Sequence, residues 1–178
     1  DMKYKLIFIT IIMILFFQSC NSQNQPLDNK LPVWKPEISY NNLNKAYFAS
    51  GCFWCVEAIY ESLKGVKEVY SGYAGGRTKH PTYRQIGTGL TNHSEAVEII
   101  YDENLVTFNT LVDVFFGSHD PTTLNRQGPD YGSQYRSIAF YSNEKEKEII
   151  ENYILDLKKN NVFKNQIVTE VKALKIFY

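Results

Sequence analysis

Two cysteines three positions apart, Cys52 and Cys55, enclose a pair of large aromatic residues in the segment 51–55. The apolar run 46–49 before them predicts a short strand, and apolar residues at helical spacing after them predict a helix that stops at Gly65. Cys52 is therefore expected in the first turn of a helix, where unpaired N–H groups and the helix dipole favour a thiolate. Cys55 follows one turn later on the same face, close enough to attack an oxidised Cys52.

Two other interpretations of the cysteine pair stay open on spacing alone. A Cys-x-x-Cys pair can be half of a zinc site, but the remaining candidate ligands are scattered: Cys20, His80, His93 and His119. Alternatively, both cysteines are small buried apolar residues, which is common for free cysteine. The pair by itself does not separate redox chemistry from burial, so the rest of the sequence must decide.

Composition indicates a neutral globular domain. The chain has 178 residues, a formal net charge of zero, 44% apolar residues and 15% aromatic residues. These values suit one domain with a substantial core, which we expect to be a monomer. The lack of a basic cluster in the sequence argues against nucleic acid as a partner.

We interpret residues 1–20 as a signal peptide rather than as part of the fold. Positive charges at its start precede the apolar run 6–17, which is too short to span a bilayer comfortably. The run leads to Cys20 through a segment that resembles the lipobox of bacterial lipoproteins, and this resemblance implies that Cys20 carries a lipid. Residues 21–44 then predict a flexible polar tether. The expected location is the cell envelope, outside the cytoplasm, with only a lipid anchor in the membrane; an uncleaved anchor is the alternative.

From residue 45 to residue 178, the hydrophobic periods of strands and helices alternate. The pattern predicts strands at 45–50, 66–73, 95–101, 136–141 and 167–171. It also predicts helices at 53–64, 107–116 and 144–159, the last two with Thr107 and Asn143 as caps. Strand–helix–strand repeated twice is the split βαβ order of a ferredoxin-like, two-layer α+β sandwich with a mixed or antiparallel sheet, and the third helix is an addition.

Two irregular stretches, 74–94 and 118–135, are longer than most connections in compact domains, which indicates a functional role. They also hold most of the unusual polar and glycine content. The segments that stand out in or beside them are 72–76 (Gly-Tyr-Ala-Gly-Gly), 93–95 (His-Ser-Glu) and 125–137. None of them matches a phosphate-binding loop, because no Gly-Lys-Ser/Thr ends a glycine run.

Taken with 51–54, these three segments resemble the motifs of peptide methionine sulfoxide reductase A, a family that reduces the S epimer of methionine sulfoxide. The resemblance covers Tyr47 to Tyr178, and four specific motifs occur in the family's order. It implies the split βαβ fold, an oxidoreductase that repairs oxidised proteins, and as substrates methionine sulfoxide in proteins or free. It also implies a reaction that needs no metal or organic cofactor.

The resemblance implies a nucleophile, a pocket and an acid. Cys52 matches the nucleophile that attacks the sulfoxide sulfur. Phe53 and Trp54 match the residues that form the pocket for the S-methyl group. Glu95 matches the acid that protonates the sulfoxide oxygen, a role that requires a pKa raised by burial. Taken alone, Glu95 would be interpreted as a surface carboxylate at a strand edge.

Three further positions match polar groups of the family's site. Tyr83 and Tyr135 match the hydroxyls that hydrogen-bond the sulfoxide oxygen as charge builds on it. Asp130 matches a carboxylate that orients water or neighbouring groups. Taken singly, the tyrosines would be packed aromatics and Asp130 a turn former. We interpret His93 and His119 as structural hydrogen-bonding residues and leave them out of the site.

Cys55 is a departure from the family, since many members have glycine there and use a later cysteine to resolve the sulfenic acid. No cysteine follows Cys55, so we expect it to be the resolving residue, with a thioredoxin-type dithiol reopening the resulting Cys52–Cys55 disulfide. The family pattern continues past Tyr178 with an aromatic, acidic tail, so the chain is expected to be truncated and a further cysteine stays possible.

Two other classes of function compete with the reductase. A general thiol–disulfide oxidoreductase or redox-sensing lipoprotein would explain Cys52 and Cys55 but not Glu95, the tyrosines or the long loops. A tethered binding module with an inactive site would leave the complete set of site residues unexplained.

Overall fold

The structure, a computed structural model, describes residues 40–178. The predicted signal peptide with Cys20, and the predicted tether up to residue 39, lie outside the described residues. Between residues 40 and 178, none of the helices has the length and apolar character that a membrane crossing needs. The predicted reductase domain is described throughout, and its first strand begins one residue early, at Asn44.

The described part of the chain contains seven strands, four α-helices and one 3₁₀ turn. The strands are β1 (Asn44–Ala49), β2 (Val66–Ala74), β3 (Ser94–Tyr101), β4 (Arg126–Gln127), β5 (Asp130–Tyr131), β6 (Ile138–Tyr141) and β7 (Glu170–Ala173). The helices are α1 (Phe53–Glu61), α2 (Tyr83–Gly87), α3 (Phe108–Gly117) and α4 (Glu144–Lys159), and the 3₁₀ turn is Ser133–Tyr135.

The main sheet has the strand order β2-β3-β1-β6-β7. β3 lies between β1 and β2 and pairs antiparallel with both, so β1, α1 and β2 form a split βαβ unit. β6 pairs antiparallel with β1 and parallel with β7, which makes the sheet mixed. The predicted ferredoxin-like α+β architecture is confirmed. β4 and β5 form a separate two-stranded hairpin inside the second long connection.

The core on the helix-covered face of the sheet is built around Phe48 of β1. Its ring stacks on Phe115 of α3 at a centroid distance of 4.9 Å and on Tyr60 of α1 at 5.7 Å, and all three side chains are fully buried. Alternate residues of β3 complete this face, as the period-2 pattern predicted. Truncating a buried Phe of this kind lowers the free energy of unfolding by about 3–5 kcal/mol. Phe48 therefore anchors β1, the strand that leads directly to Cys52.

The opposite face of the sheet is covered by the chain that follows β7. Leu174 and Phe177 pack against a smaller cluster that includes Tyr47 and Phe140. Beyond them, the backbone N–H and C=O of Tyr178 exchange hydrogen bonds with those of Tyr73 in β2, at 3.0 and 2.9 Å. Gly72 permits this approach, since a Cβ there would lie 2.4 Å from the Tyr178 carbonyl oxygen.

Several predicted boundaries were wrong in detail. α1 ends at Glu61 rather than at residue 64, and β6 begins at Ile138 rather than at residue 136. The last strand is β7 at 170–173 rather than 167–171, because pairing with β6 sets its position, while Ile167 is buried outside any strand.

The first irregular stretch also contains a helix, α2, which was not predicted. Thr82 caps it through a capping box with Gln85, in which the Gln85 N–H donates to the Thr82 hydroxyl and the Thr82 N–H donates to the Gln85 side chain. The caps predicted for the two later helices are confirmed: the side chains of Thr107 and Asn143 accept backbone N–H groups at the starts of α3 and α4.

Candidate active site

Cys52 lies at the N-cap of α1, one residue before the predicted first turn. Its backbone carbonyl accepts hydrogen bonds from the N–H groups of Cys55 and Val56, at 3.1 and 3.2 Å. Its side chain makes no capping hydrogen bond, so the sulfur is free to face a reactant. The position is the one at which helix N–H groups and the helix dipole favour an anion.

Glu95 lies directly beside this helix start. It is the second residue of β3 and is 3% exposed, and its carboxylate accepts the backbone N–H of Phe53 at 3.2 Å. Burial raises the pKa of Glu95, the Phe53 N–H opposes that rise, and the charge of Asp130 adds to it. Burial dominates, so the pKa is raised as predicted, and the carboxyl group is suited to holding a proton close to Cys52.

Aromatic rings form one wall next to the sulfur. The Phe53 ring is buried and lies 5.3 Å from the Trp54 ring and 5.8 Å from the Tyr73 ring, both tilted. Trp54 is 64% exposed, so its indole lies at the rim rather than inside the core. A buried ring with an exposed ring at its edge provides an apolar surface of the kind that an S-methyl group needs.

Cys55 is exposed one turn along α1. Its pKa is raised, first because its thiol hydrogen-bonds to Cys52 and then because of the charge of Cys52. The Cys55 thiol therefore lies close enough to Cys52 for the Cys52 side chain to shift its pKa. Both thiols are free in this structure, which corresponds to the reduced form of the pair.

The three loop-borne candidates lie around the same point. Asp130 lies in β5, and its charge raises the pKa values of Cys55, Glu95 and Tyr135. Tyr135 ends the 3₁₀ turn and is half-buried, and its pKa is raised by burial first and then by Glu95. Tyr83 begins α2, is 58% exposed, and lies near enough to Tyr73 and Tyr135 to raise the pKa of each. The structure thus brings the predicted residues of the domain together at one end of the sheet.

Tyr73 is a neighbour of the site that sequence reasoning did not select. It lies directly opposite Glu95 in the β2–β3 ladder and contacts the ring of Phe53. Burial raises its pKa, and the charge of Glu95 and the hydroxyl of Tyr83 raise it further. The motif 72–76 was noted as unusual, but the register that faces Tyr73 toward Glu95 follows from strand pairing and cannot be read from the motif alone.

His93 and His119 hold the two loops in place. The Gly76 N–H donates to Nδ1 of His93 at 3.1 Å, and Nε2 of His93 lies 2.8 Å from the Thr78 carbonyl. Nδ1 of His119 lies 2.6 Å from the Phe115 carbonyl, and its Nε2 lies 2.7 Å from the Ser137 hydroxyl. Both ring nitrogens of each histidine are thus engaged, as the structural interpretation predicted. Among residues 40–178, no group of three or more His, Cys, Asp or Glu side chains is placed to hold a metal ion.

Comparisons with known proteins point to one family. The family model described as peptide methionine sulfoxide reductase matches residues 44–178. The peptide methionine sulfoxide reductase MsrA of Nautilia profundicola is 53% identical over 134 residues, which are 75% of this chain and 76% of that protein.

Solved structures also resemble this chain. Methionine sulfoxide reductase A of Corynebacterium diphtheriae superposes with a TM-score of 0.69 at 36% identity, over 78% of this chain and 70% of that one. Reduced Mxr1 from Saccharomyces cerevisiae gives a TM-score of 0.70 at 30% identity, over 77% of this chain and 79% of that one. Mxr1 solved in complex with Trx2 shares the fold, with a TM-score of 0.59 at 23% identity, over 80% of this chain and 85% of that one. With the four motifs assembled around Cys52, this chain belongs to the peptide methionine sulfoxide reductase family.

Proposed function

We propose that this enzyme reduces the S epimer of methionine sulfoxide through a sulfenic acid on Cys52. The observation that carries the proposal is the buried Glu95 carboxyl at the start of α1, which is bound to the N–H of Phe53, the residue after the nucleophile. A thiolate and a proton source on adjacent groups, beside an aromatic wall, are what sulfoxide reduction by a thiol requires.

In the first step, the Cys52 thiolate attacks the sulfoxide sulfur while Glu95 gives its proton to the sulfoxide oxygen. The S–O bond breaks, the thioether leaves as methionine, and Cys52 takes the oxygen as a sulfenic acid. The substrate sulfur gains two electrons and the cysteine sulfur loses two. The hydroxyls of Tyr83 and Tyr135 donate hydrogen bonds to the oxygen while its negative charge builds, and Asp130 orients neighbouring polar groups.

In the second step, Cys55 attacks the sulfenic sulfur of Cys52, a disulfide forms, and the oxygen leaves as water. The effect of Cys52 on the pKa of Cys55 supports this step, since it requires the two side chains to lie near each other. Oxidation of Cys52 also removes the thiolate that raises the pKa of Cys55. Cys55 thereby becomes a better nucleophile at the stage at which the mechanism needs one.

An external dithiol of the thioredoxin type then reopens the disulfide by thiol exchange and supplies the two electrons that each cycle consumes. The exposure of Cys55 supports this assignment, because a partner thiol needs to reach one sulfur of the pair. Mxr1, one of the solved relatives, has been crystallised with Trx2. The substrates on this proposal are free methionine sulfoxide and methionine sulfoxide in oxidised proteins.

One assay tests the reaction. The domain from residue 40 onward and a dithiol are incubated with each epimer of a blocked methionine sulfoxide, with Cys52→Ser as the matched control. Turnover of the S epimer alone, lost in the control, is the expected result. Reduction of insulin disulfides without sulfoxide turnover would instead identify a general thiol–disulfide oxidoreductase.

The resolving step has its own variant. Cys55→Ser is expected to complete one turnover and to accumulate sulfenic acid on Cys52, which a dimedone-type probe and mass spectrometry detect. Sustained turnover of this variant with a thioredoxin system would contradict the resolving role. The test separates the two cysteines, because Cys52→Ser should give no product at all.

We also propose that the protein is a lipoprotein of the cell envelope, held outside the cytoplasm by a lipid on Cys20. The support is the charged start, short apolar run and lipobox-like segment of residues 1–20, followed by a polar tether. Mass analysis of the N-terminal peptide from membrane-extracted protein should show a diacylated Cys20. A Cys20→Ser variant that stays in the membrane fraction with an intact N-terminus would favour an uncleaved anchor.

A further inference from the structure

The side chain of Gln127 contacts the backbone immediately before the nucleophile. Gly51 has φ of +98°, and a Cβ at this position would lie 2.7 Å from Cγ of Gln127 and 2.8 Å from its Cβ. The aliphatic stem of Gln127 therefore rests directly on the Gly51 backbone. Any other residue at 51 would be strained by its φ and would collide with that stem.

The amide at the end of the same side chain is held from both sides. The Asp120 N–H donates to Oε1 of Gln127 at 3.2 Å, and Nε2 of Gln127 donates to the Asp120 carbonyl at 3.1 Å. The side-chain amide of Gln127 thus bonds through both its oxygen and its nitrogen to the backbone of one residue, Asp120. These two hydrogen bonds, which we call the clamp, fix the Gln127 rotamer that places the stem on Gly51.

Gln127 also lies on the hairpin that carries the site's second carboxylate. It pairs with Asp130 across the β4–β5 ladder. Asp130 acts electrostatically on Glu95 and Cys55. One residue therefore joins the Gly51 backbone, immediately before Cys52, to the loop that carries Asp130.

We infer that Gln127 is a positioning residue that holds the Gly51–Cys52 backbone in register with the loop 118–135. This inference rests on the proposed role of Cys52 and goes beyond it by naming what aims the sulfur. A displacement of about 1 Å at a reacting group can cost 10²-fold in rate. Loosening this contact should therefore slow the attack of Cys52 on the sulfoxide and leave substrate binding nearly unchanged.

The test is a single-turnover measurement with the reduced full chain and a blocked S-sulfoxide, without added reductant. Gln127→Ala removes both stem and clamp and is expected to slow the first turnover about tenfold, with little change in the sulfoxide concentration that gives half of the maximal rate. Gln127→Met keeps a stem of similar length but loses the clamp, so its rate should lie between those of Gln127→Ala and wild type. Thermal melting establishes that each variant is folded, and Gln127→Met decides the question if Gln127→Ala does not fold.

Thr123→Val is the matched control, since Thr123 supports the same loop without touching Gly51. Its hydroxyl donates to the carbonyls of Arg126 and Asp120, at 2.6 and 3.3 Å. We expect this variant to react at the wild-type rate. The inference would be overturned if Gln127→Ala reacted at the wild-type rate, or if only its half-saturating sulfoxide concentration changed. An equal loss of rate in Thr123→Val would also overturn it. Failure of the wild type itself to reduce the sulfoxide would contradict the proposed function instead, so the two failures are distinguishable.

Discussion

Two groups of residues make up the site, and the fold holds them in different ways. Cys52, Phe53 and Glu95 lie on or directly beside regular elements, and they are joined by a hydrogen bond between backbone and carboxylate. Tyr83 and Asp130 lie on the two long connections, where exposure is greater and side chains anchor the backbone. The first group is fixed by the core itself, whereas the second depends on a few individual contacts.

The difference indicates how the work of the enzyme is divided. Groups that exchange bonds or protons need a fixed geometry, and a buried strand and a helix start provide it. Groups that only donate hydrogen bonds to the sulfoxide oxygen or orient polar neighbours can sit on longer connections that adapt to the substrate. Substitutions in the first group should therefore act on the chemical step, and substitutions in the second should act more weakly or through stability.

After the loss of Cys52 itself, the largest effect is expected at Glu95. Glu95→Gln keeps the shape of the side chain but cannot supply a proton, so kcat should fall by about 10²–10⁴-fold. Glu98→Gln is the matched control on the same strand, where Glu98 instead bonds Lys45 and Tyr47 away from the site. Steady-state kinetics with a dithiol check both variants. Near-normal kcat in Glu95→Gln would remove the proposed acid.

The pH dependence of the wild type sharpens the same prediction. Burial raises the pKa of Glu95, and the acid must be protonated, so kcat should fall as pH rises through that pKa. Because the folded state holds this proton more tightly than the unfolded state, the stability it contributes is full below the unfolded pKa. That stability is lost as pH rises through the folded pKa. Both trends should be absent in Glu95→Gln when kcat and Tm are measured between about pH 4 and 9.

Arg136 tests whether side chains hold the two loops. Its buried guanidinium donates to the Ser133 carbonyl at 2.7 Å, to the Asn92 carbonyl at 3.1 Å and to Glu170 at 2.8 Å. Arg136→Met leaves both carbonyls without their donor, and we expect the free energy of unfolding to fall by about 3 kcal/mol. Glu170 is partly exposed and can be rehydrated, which limits the loss.

The matched variant at this position is Arg136→Lys, which keeps the charge but cannot reach three acceptors at once. Denaturant unfolding should place it between Arg136→Met and wild type. If Arg136→Met is as stable as wild type, the loops are held by other contacts, and the contrast between the two groups of residues is weaker than we describe.

A smaller effect is expected at the tyrosines. Tyr135→Phe removes a half-buried hydroxyl and should lower kcat/KM about tenfold, whereas Tyr83→Phe should cost about threefold, because water can replace an exposed donor. Kinetics with the S epimer check both variants. The reverse order would mean that the exposed residue is brought into the site by substrate.

The smallest expected effect is that of His119 on the pH dependence of stability. Burial lowers its pKa, so the fold favours the neutral ring and gains stability that is full above the unfolded pKa. That stability is lost as pH falls through the folded pKa. His119→Gln should therefore show a flatter decline of Tm below about pH 6.5. Identical pH profiles for the two proteins would indicate that His119 takes no part in the acid response.

Much of the fold could be predicted because its signals are local. Apolar residues recur at every second position along one face of β3, and Thr107 and Asn143 are good helix caps, so strand and helices follow from neighbouring residues. α2 was missed although Thr82 and Gln85 have the spacing of a capping box, which was a usable signal. β7 was misplaced because its limits depend on pairing with a strand about thirty residues earlier.

The residues of the site, like the elements of the fold, could be predicted where their signals are local. Cys52 and Glu95 were found through motifs that the family resemblance assigns. Tyr73 and Gln127 were not, because their positions depend on the register of a ladder and on a contact between distant segments. Neither relation leaves a periodic or compositional trace in the sequence. Their roles become visible only once the backbone is in place.

The effect of Cys52 on the pKa of Cys55 bears on how this enzyme would respond to electrophiles. An exposed cysteine is ordinarily the first to be alkylated, but Cys55 is kept protonated by its neighbour, and a protonated thiol reacts slowly. A covalent inhibitor should thus modify the less exposed Cys52 first. Once Cys52 is capped, the largest causes of the raised pKa of Cys55 are gone, so a second label should follow the first in sequence rather than compete with it.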